Sequence, residues 1–512
     1  MKTKFMTAVA LVALATAAGA VSAEAKTKKV KHVKAHHADV AGPAVKGPAV
    51  EGPSRFNNLL AILGGGISND AVVGFLSDPR DISYMGLTVF GAVDLGAGWQ
   101  SHGSQIDGGY PYGVPYGIQK FSNHPHLGAA PGGLGYSNVG IKGSWDTGFY
   151  GFKVVADAET NFDVATASLL DGPNSLYRMA GKTAAYQGAN GDSSRGGQAF
   201  NNQYWGGFKH DVLGQLTYGR HTTFITDELS AFDPLKGAPA FSLLGFSGSL
   251  AGGTTEAGRL DNSLKYKVAY GPIYGGAIVK LADSQGVMAG KGESYGFNLG
   301  GTYAGFTLDG TYHYTKDAIS LGGLSSITGI YTTAYNNGWR TVATLSNNEE
   351  ISVAGKYVWN QFTFAGGYEH IRMTNASDMP TAGYSAANLV SYYDPNDYRY
   401  IVTNTNPFPN QKILEVFWGG AAWAYNDKLT LSGSYYHLEQ NSFATAARKC
   451  SNASNSNCSG QEDAFGVMAQ YAFNKRFQVY GGVQYTVVTN GLANGYLYTV
   501  NWAPSVGARW TF

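Results

Sequence analysis

The chain is poor in charge: Asp, Glu, Lys and Arg make up only 14% of its 512 residues, against about 25% in an average soluble domain. Beyond its N-terminus it has no uninterrupted apolar run of about 20 residues, so no helix of it can cross a bilayer. Cysteine is almost missing. The two present, Cys450 and Cys458, share one Asn/Ser-rich stretch with no His or acidic ligand set beside them, which excludes a zinc site. His-Glu-x-x-His does not occur. His313 and His370 are isolated, and Glu369 and His370, adjacent on a strand, point to opposite faces. These gaps argue against a Ser/His/acid hydrolase, and neither an enzyme activity nor a cofactor or metal is expected. A formal net charge of +1 identifies no partner, and no basic footprint points to nucleic acid.

What is abundant is Gly (70), Tyr (34) and Phe (25), in an alternating order. From Leu87 to Trp99, Leu87, Val89, Val93, Leu95, Ala97 and Trp99 share one face, while Thr88 and Asp94 share the other, with Phe90 an exception. The same parity sets Phe306, Leu308, Tyr312 and Tyr314 against Thr307, Asp309, Thr311 and His313. It recurs from Ile351 to Trp359, from Phe477 to Val487 and in the last residues, where Val506, Ala508, Trp510 and Phe512 oppose Ser505, Gly507, Arg509 and Thr511. A period of two is a strand with one apolar and one polar side.

Parity alone also suits a soluble sandwich, and the connections separate the two. Tight turns at 146–148, 360–361, 426–428 and 474–476 alternate with long connections at 100–136, 162–201, 316–348, 374–409 and 441–462. Long loops at one end and short turns at the other are the asymmetry of an outer-membrane barrel. About sixteen strands are expected, an antiparallel all-β barrel wide enough for a water-filled channel.

The segment from Thr222 to Asp261 is too long for a simple hairpin. Its apolar centre, Phe241 to Phe246, is foreign to a disordered tail, so it is expected to fold back into the lumen and set the width and charge of a pore.

The N-terminus reads as a signal peptide, residues 1–23, with a basic start, an apolar stretch from Phe5 to Ala18 and small residues before a cut after Ala23 or, next, Ala25. Export would let Cys450 and Cys458 close a small disulfide ring, free thiols being the alternative. Residues 24–86 form a Lys/His/Pro-rich extension with a possible short helix between Phe56 and Leu76, and 87–512 form the barrel. His32, His36 and His37 fit a solvated basic tail better than a metal site, and the tail could touch peptidoglycan.

Several stretches resemble Gram-negative general porins. The run from Leu87 to Asp94 is similar to their opening strand, Ser137 to Gly143 to their second, Leu216 to Arg220 to their fifth, and Arg259 to Tyr266 to the exit from their third loop. Phe512 matches the terminal aromatic that such barrels present to the barrel-assembly machinery. The likeness spans Leu87 to Phe512 and implies a homotrimer of barrels, each narrowed by loop three, in contact with outer-membrane lipid and lipopolysaccharide. Asn138 stands where relatives often carry a basic residue, and the extension is unusual.

Function is then passive diffusion, and the residues that matter face the lumen. Parity places Lys142, Lys153, Lys265, Lys267, Lys280, Lys356 and Arg509 there, with Asp94, Asp157, Glu159, Asp309 and Glu369. An outward charge near mid-membrane would cost about 2–4 kcal/mol. If strands two, three and six face the folded-in loop as in relatives, Lys142, Lys153, Lys265 and Lys267, with Arg259, oppose Asp227, Glu228 and Asp233 across the constriction and favour anions mildly. Arg220 shares outward parity with Leu216 and Tyr218 and is expected at a subunit contact, or else snorkelling to headgroups. A sugar channel would need an inward aromatic track, whereas most aromatics face lipid, with Tyr436 and Tyr480 as inward exceptions. An adhesin remains the alternative because the loops are long.

Overall fold

Sixteen long strands follow one another up and down the chain. They are β1 (Leu87–Gln100), β2 (Asn138–Asp146), β3 (Lys153–Asn161), β4 (Gln203–His210), β5 (Gly214–Thr222), β6 (Arg259–Tyr270), β7 (Ile273–Lys280) and β8 (Ser294–Tyr303). Then come β9 (Phe306–Gly323), β10 (Thr341–Trp359), β11 (Phe362–Asn375), β12 (Lys412–Ala424), β13 (Leu429–Gln440), β14 (Gly460–Ala472), β15 (Phe477–Asn490) and β16 (Val500–Thr511). The computed structural model describes residues 78–103, 124–162, 199–246, 258–281, 293–323, 341–376, 408–445 and 450–512, with pieces at 164, 167, 169, 188–190, 391–393 and 399–404. The expected signal peptide, most of the extension and the helix expected between Phe56 and Leu76 lie outside the described residues.

Each strand pairs antiparallel with its sequence neighbour, and β1 pairs with β16 to close the sheet, setting Val93 opposite Trp510 and Asp94 opposite Arg509. Closure leaves no sheet edge. The short connections show why the chain reverses where it does. Asn426 Oδ1 accepts the N–H groups of Lys428 and Leu429, and Asn474 Oδ1 those of Arg476 and Phe477, so each Asn closes its own turn. At the β8–β9 turn Ala304 and Gly305 both have positive φ, 49° and 81°, the twist a two-residue hairpin requires.

Burial follows the alternation in the sense opposite to a soluble protein. Leu308 and Val353 are 49% and 48% exposed, whereas their neighbours Asp309 and Ser352 are 3% and 1% exposed. The apolar face therefore looks out to lipid and the polar face looks in. Exposed aromatics mark both rims, Tyr303, Trp359 and Tyr425 near the turns and Tyr295, Phe417 and Tyr435 towards the loops. The largest apolar cluster of buried side chains belongs to the segment after β5, in which Ile225, Leu229, Phe232, Leu235 and Phe241 pack with Trp418, Tyr436 and Tyr480 of the wall.

Candidate functional site

That segment is built by local rules before it meets the wall. Thr223 caps α1 (Phe224–Phe232) by accepting the N–H of Thr226, and Asp227 in its first turn suits the helix dipole. Ile225, Leu229 and Phe232 recur at helical spacing and are all buried, which is an apolar stripe with a surface to dock on. Pro234 ends the helix, and the residue before it, Asp233, is extended as a residue preceding proline prefers. The Asp233 carboxylate then organises the next turn, accepting the N–H groups of Leu235 at 3.1 Å and Gly237 at 2.8 Å.

Four inward-facing positions hold the segment. Trp418 Nε1 on β12 donates to the Phe232 carbonyl at 3.1 Å, and Tyr436 on β13 donates its hydroxyl to Asp233 Oδ1 at 2.7 Å. Tyr480 on β15 lies edge-on to Phe241 with ring centroids 6.0 Å apart. On β14, Gly466 leaves room that a side chain would take: a Cβ there would stand 1.9 Å from the Phe241 carbonyl oxygen. From the loop after β1, the Gly133 carbonyl accepts the N–H of Ala240 at 3.1 Å. The two inward tyrosines thus anchor the folded-in segment and form no aromatic track.

The charges distribute unlike the expected opposition. Asp227 bonds Lys265 at 2.8 Å and Lys267 at 3.0 Å from β6. Burial pushes its pKa up, but the two ammonium groups outweigh that and hold it below the usual carboxylate range. Glu228, only 4% exposed, lies on the docked side of α1, close to the buried stripe, and faces the wall carboxylates Asp309 and Glu369. Burial, chiefly, raises its pKa to about 8; the Thr311 and Ser352 hydroxyls offset part of this, and the two acids add to it. Asp233 is likewise raised by burial, against the pull of its hydrogen bonds. Of the three acids expected to face the lumenal bases, Asp227 alone does so. Glu228 and Asp233 are turned into the wall because the face of α1 that buries its apolar stripe carries Glu228 with it, and Asp233 serves the turn.

The basic residues also separate. Lys142 on β2 is exposed to the lumen with its ammonium 5.2 Å from the Phe90 ring centroid, and Lys267 is half exposed. Lys153 opens β3 directly after a short turn and lies 4.0 Å from Asp211 of the next turn, so it belongs to the turn-side rim and not to the constriction. Arg259 donates to Asn202 Oδ1 at 2.9 Å at the root of the segment. Arg220 departs from its expected outward position: the β5–β6 register shifts between Gly219 and His221, and the side chain is buried. It donates to the Asn201 carbonyl and, at 2.6 Å, to Asp261, bracing the exit of the segment within one chain in place of the expected subunit contact.

Elsewhere, Cys450 and Cys458 are joined by a disulfide in the β13–β14 connection. Phe512 exchanges backbone hydrogen bonds with Gly91 at 3.0 and 3.2 Å, completing the seam. Among the described residues, no group of three or more His, Cys, Asp or Glu is arranged to hold a metal ion. Sequence reasoning passed over Trp418 and Lys236; the one local signal for Lys236 is its place before Gly237 in a turn that follows Asp233 and Pro234.

Comparison with known proteins supplies the context. A family model described as Gram-negative porin matches residues 8–491. The fold is similar to the anion-selective porin from Comamonas acidovorans, with a TM-score of 0.52 and 13% identity over 83% of this chain and 99% of that one. It is similar as well to OmpT, an outer membrane protein of Vibrio cholerae, at a TM-score of 0.50 and 12% identity over 84% of this chain and 99% of that one. A search of curated proteins found no match.

Proposed function

Since the chain belongs to the Gram-negative porin family, we propose that ions and small hydrophilic solutes diffuse through its lumen with a mild preference for anions. It is an outer-membrane β-barrel channel and not an enzyme. One observation carries the anion preference: the folded-in segment buries Glu228 and Asp233 and pairs Asp227, while Lys142 and Lys267 stay exposed to the water-filled interior.

The size of the effect follows from Coulomb's law. Two unit charges about 10 Å apart interact by roughly 0.4 kcal/mol in water and about 1.7 kcal/mol at an effective dielectric of 20. Energies of that order bias ion flux several-fold and exclude nothing. In this reading Lys142, Lys265, Lys267 and Asp227 form the constriction, and Arg259 holds the segment's root. The working unit is a homotrimer, and the basic extension, residues 24–86, reaches towards peptidoglycan.

Swelling of liposomes that contain the purified protein tests the diffusion reading. Influx rates should fall smoothly with sugar size and show no saturation by any one sugar. Saturable uptake of one sugar, or no swelling, would contradict it.

A further inference from the structure

We infer that Lys236 is the ion-selectivity residue of the folded-in segment, an ammonium group carried into the path of permeating anions by a braced turn. The inference deepens the diffusion-pore reading and rests on it.

Three observations converge on Lys236. The first is exposure: Leu235, Ala238 and Ala240 around it are buried against the wall, but Lys236 itself is exposed inside a closed barrel, where the only solvent is lumenal water. The second is charge: no described acid neutralises it. Among the described residues Lys236 makes no ion pair, while the acids of its own segment are committed elsewhere: Asp227 to Lys265 and Lys267, Glu228 to the wall, Asp233 to the Leu235 and Gly237 amides and the Tyr436 hydroxyl.

The third is rigidity. Lys236 has φ of +56°, a left-handed conformation that a residue with a Cβ seldom adopts. Its own N–H donates to the Asp233 carbonyl at 2.9 Å, closing the turn. Asp233 is tied to β13 through Tyr436, and the preceding carbonyl of Phe232 is tied to β12 through Trp418. Both anchors lie about midway along their strands, so the ammonium is launched from a braced turn near mid-height of the barrel. A lysine on a mobile loop would spread its field over the whole reach of the loop; this one moves only within the reach of its own side chain about a braced Cα.

Each of the other lumenal lysines named above differs in at least one respect. Lys265 is 4% exposed and paired, Lys267 shares the same carboxylate, and Lys356 has its ammonium over the Phe232 ring at 5.0 Å. Among the described residues Lys142 makes no ion pair, but it stands on the wall, with Asp157 of β3 opposite it in register.

The test is the reversal potential of the purified full-length protein in a planar bilayer under a KCl gradient, for wild type, Lys236→Gln and Lys236→Glu, with Lys428→Glu at the turn-side rim as control. At separations of about 5–7 Å in water at about 0.1 M salt, where screening roughly halves the interaction, opposite effects on the two ions are expected to lower the chloride-to-potassium permeability ratio by about three-fold when the charge is removed and by about ten-fold when it is reversed. Conductance should stay within about two-fold, and Lys428→Glu should leave the ratio at its wild-type value. Unchanged ratios in both Lys236 variants would overturn the inference while leaving the diffusion pore in place. A cation-preferring wild type whose ratio still falls in Lys236→Glu would overturn the anion preference and keep the role of Lys236. If Lys236→Glu fails to assemble, as judged by heat-modifiable mobility in a gel, Lys236→Gln alone decides, by the three-fold shift or its absence.

Discussion

Glu228 shows how one buried side chain ties the pore to pH. Its ordinary pKa of 4.5 is raised to about 8 in the docked segment, chiefly by burial. Docking therefore retains a proton that the undocked segment releases. Below about 4.5 the two states hold equal protons and docking carries no penalty; as pH rises towards 8 docking weakens, and above 8 the full cost applies. Open-channel current noise is expected to grow as pH is raised from about 4.5 to 8 and to level off above it, and Glu228→Gln should abolish that growth. Equal noise in both proteins at every pH would contradict the assignment. Asp227 has the opposite sign and a different consequence. Asp227→Asn frees the ammonium groups of Lys265 and Lys267, so the reversal potential should move further in the anion direction. At this scale the sequence was legible only in part. It marked Lys142, Lys265 and Lys267 as lumenal by strand parity, which is a local property. It could not show which way the acids of a non-strand segment point, because that depends on which stripe of α1 docks. Nor did it show the register shift at Gly219 that buries Arg220, or the height of Lys153 above the rim.

The folded-in segment is an element whose length could be read and whose packing could not. Its apolar centre and poor charge pointed inward, but the partners that receive it, Trp418, Tyr436, Gly466 and Tyr480, are spread over strands far away in the chain. Their roles appear only when the barrel closes around the segment. Gly466→Ala is the direct disturbance, because the new methyl group would meet the Phe241 backbone at 1.9 Å and neither side can yield without moving a strand or the segment. Strands are the stiffer partner, so the segment should leave the wall. The expected signature is limited proteolysis near residues 232–246 in a barrel that still shows heat-modifiable mobility. Tyr436→Phe is milder: it leaves one oxygen of buried Asp233 with one donor fewer, a cost of about 1–3 kcal/mol to docking. It should increase current noise without the proteolytic cut.

For the whole molecule, the two patterns that identified a barrel were both long-range regularities of a local kind, strand parity and the alternation of short and long connections. They survive in a single sequence because lipid on the outside and water on the inside act on every strand alike. Closure was legible too, from the apolar parity of the last residues, and the seam places Phe512 against Gly91 with Arg509 opposite Asp94. Deleting Phe512 removes the two backbone hydrogen bonds to Gly91 and should slow assembly in a folding assay into lipid vesicles, with the folded barrel once formed retaining its conductance. The central claim is a wide, weakly anion-selective diffusion pore. Its most direct test is the single-channel conductance and reversal potential of the wild-type protein in a planar bilayer under a KCl gradient. Large conductance in steps of three, with a reversal potential on the chloride side of zero, is the result expected; a potential on the potassium side, or a bilayer that stays closed, would contradict it.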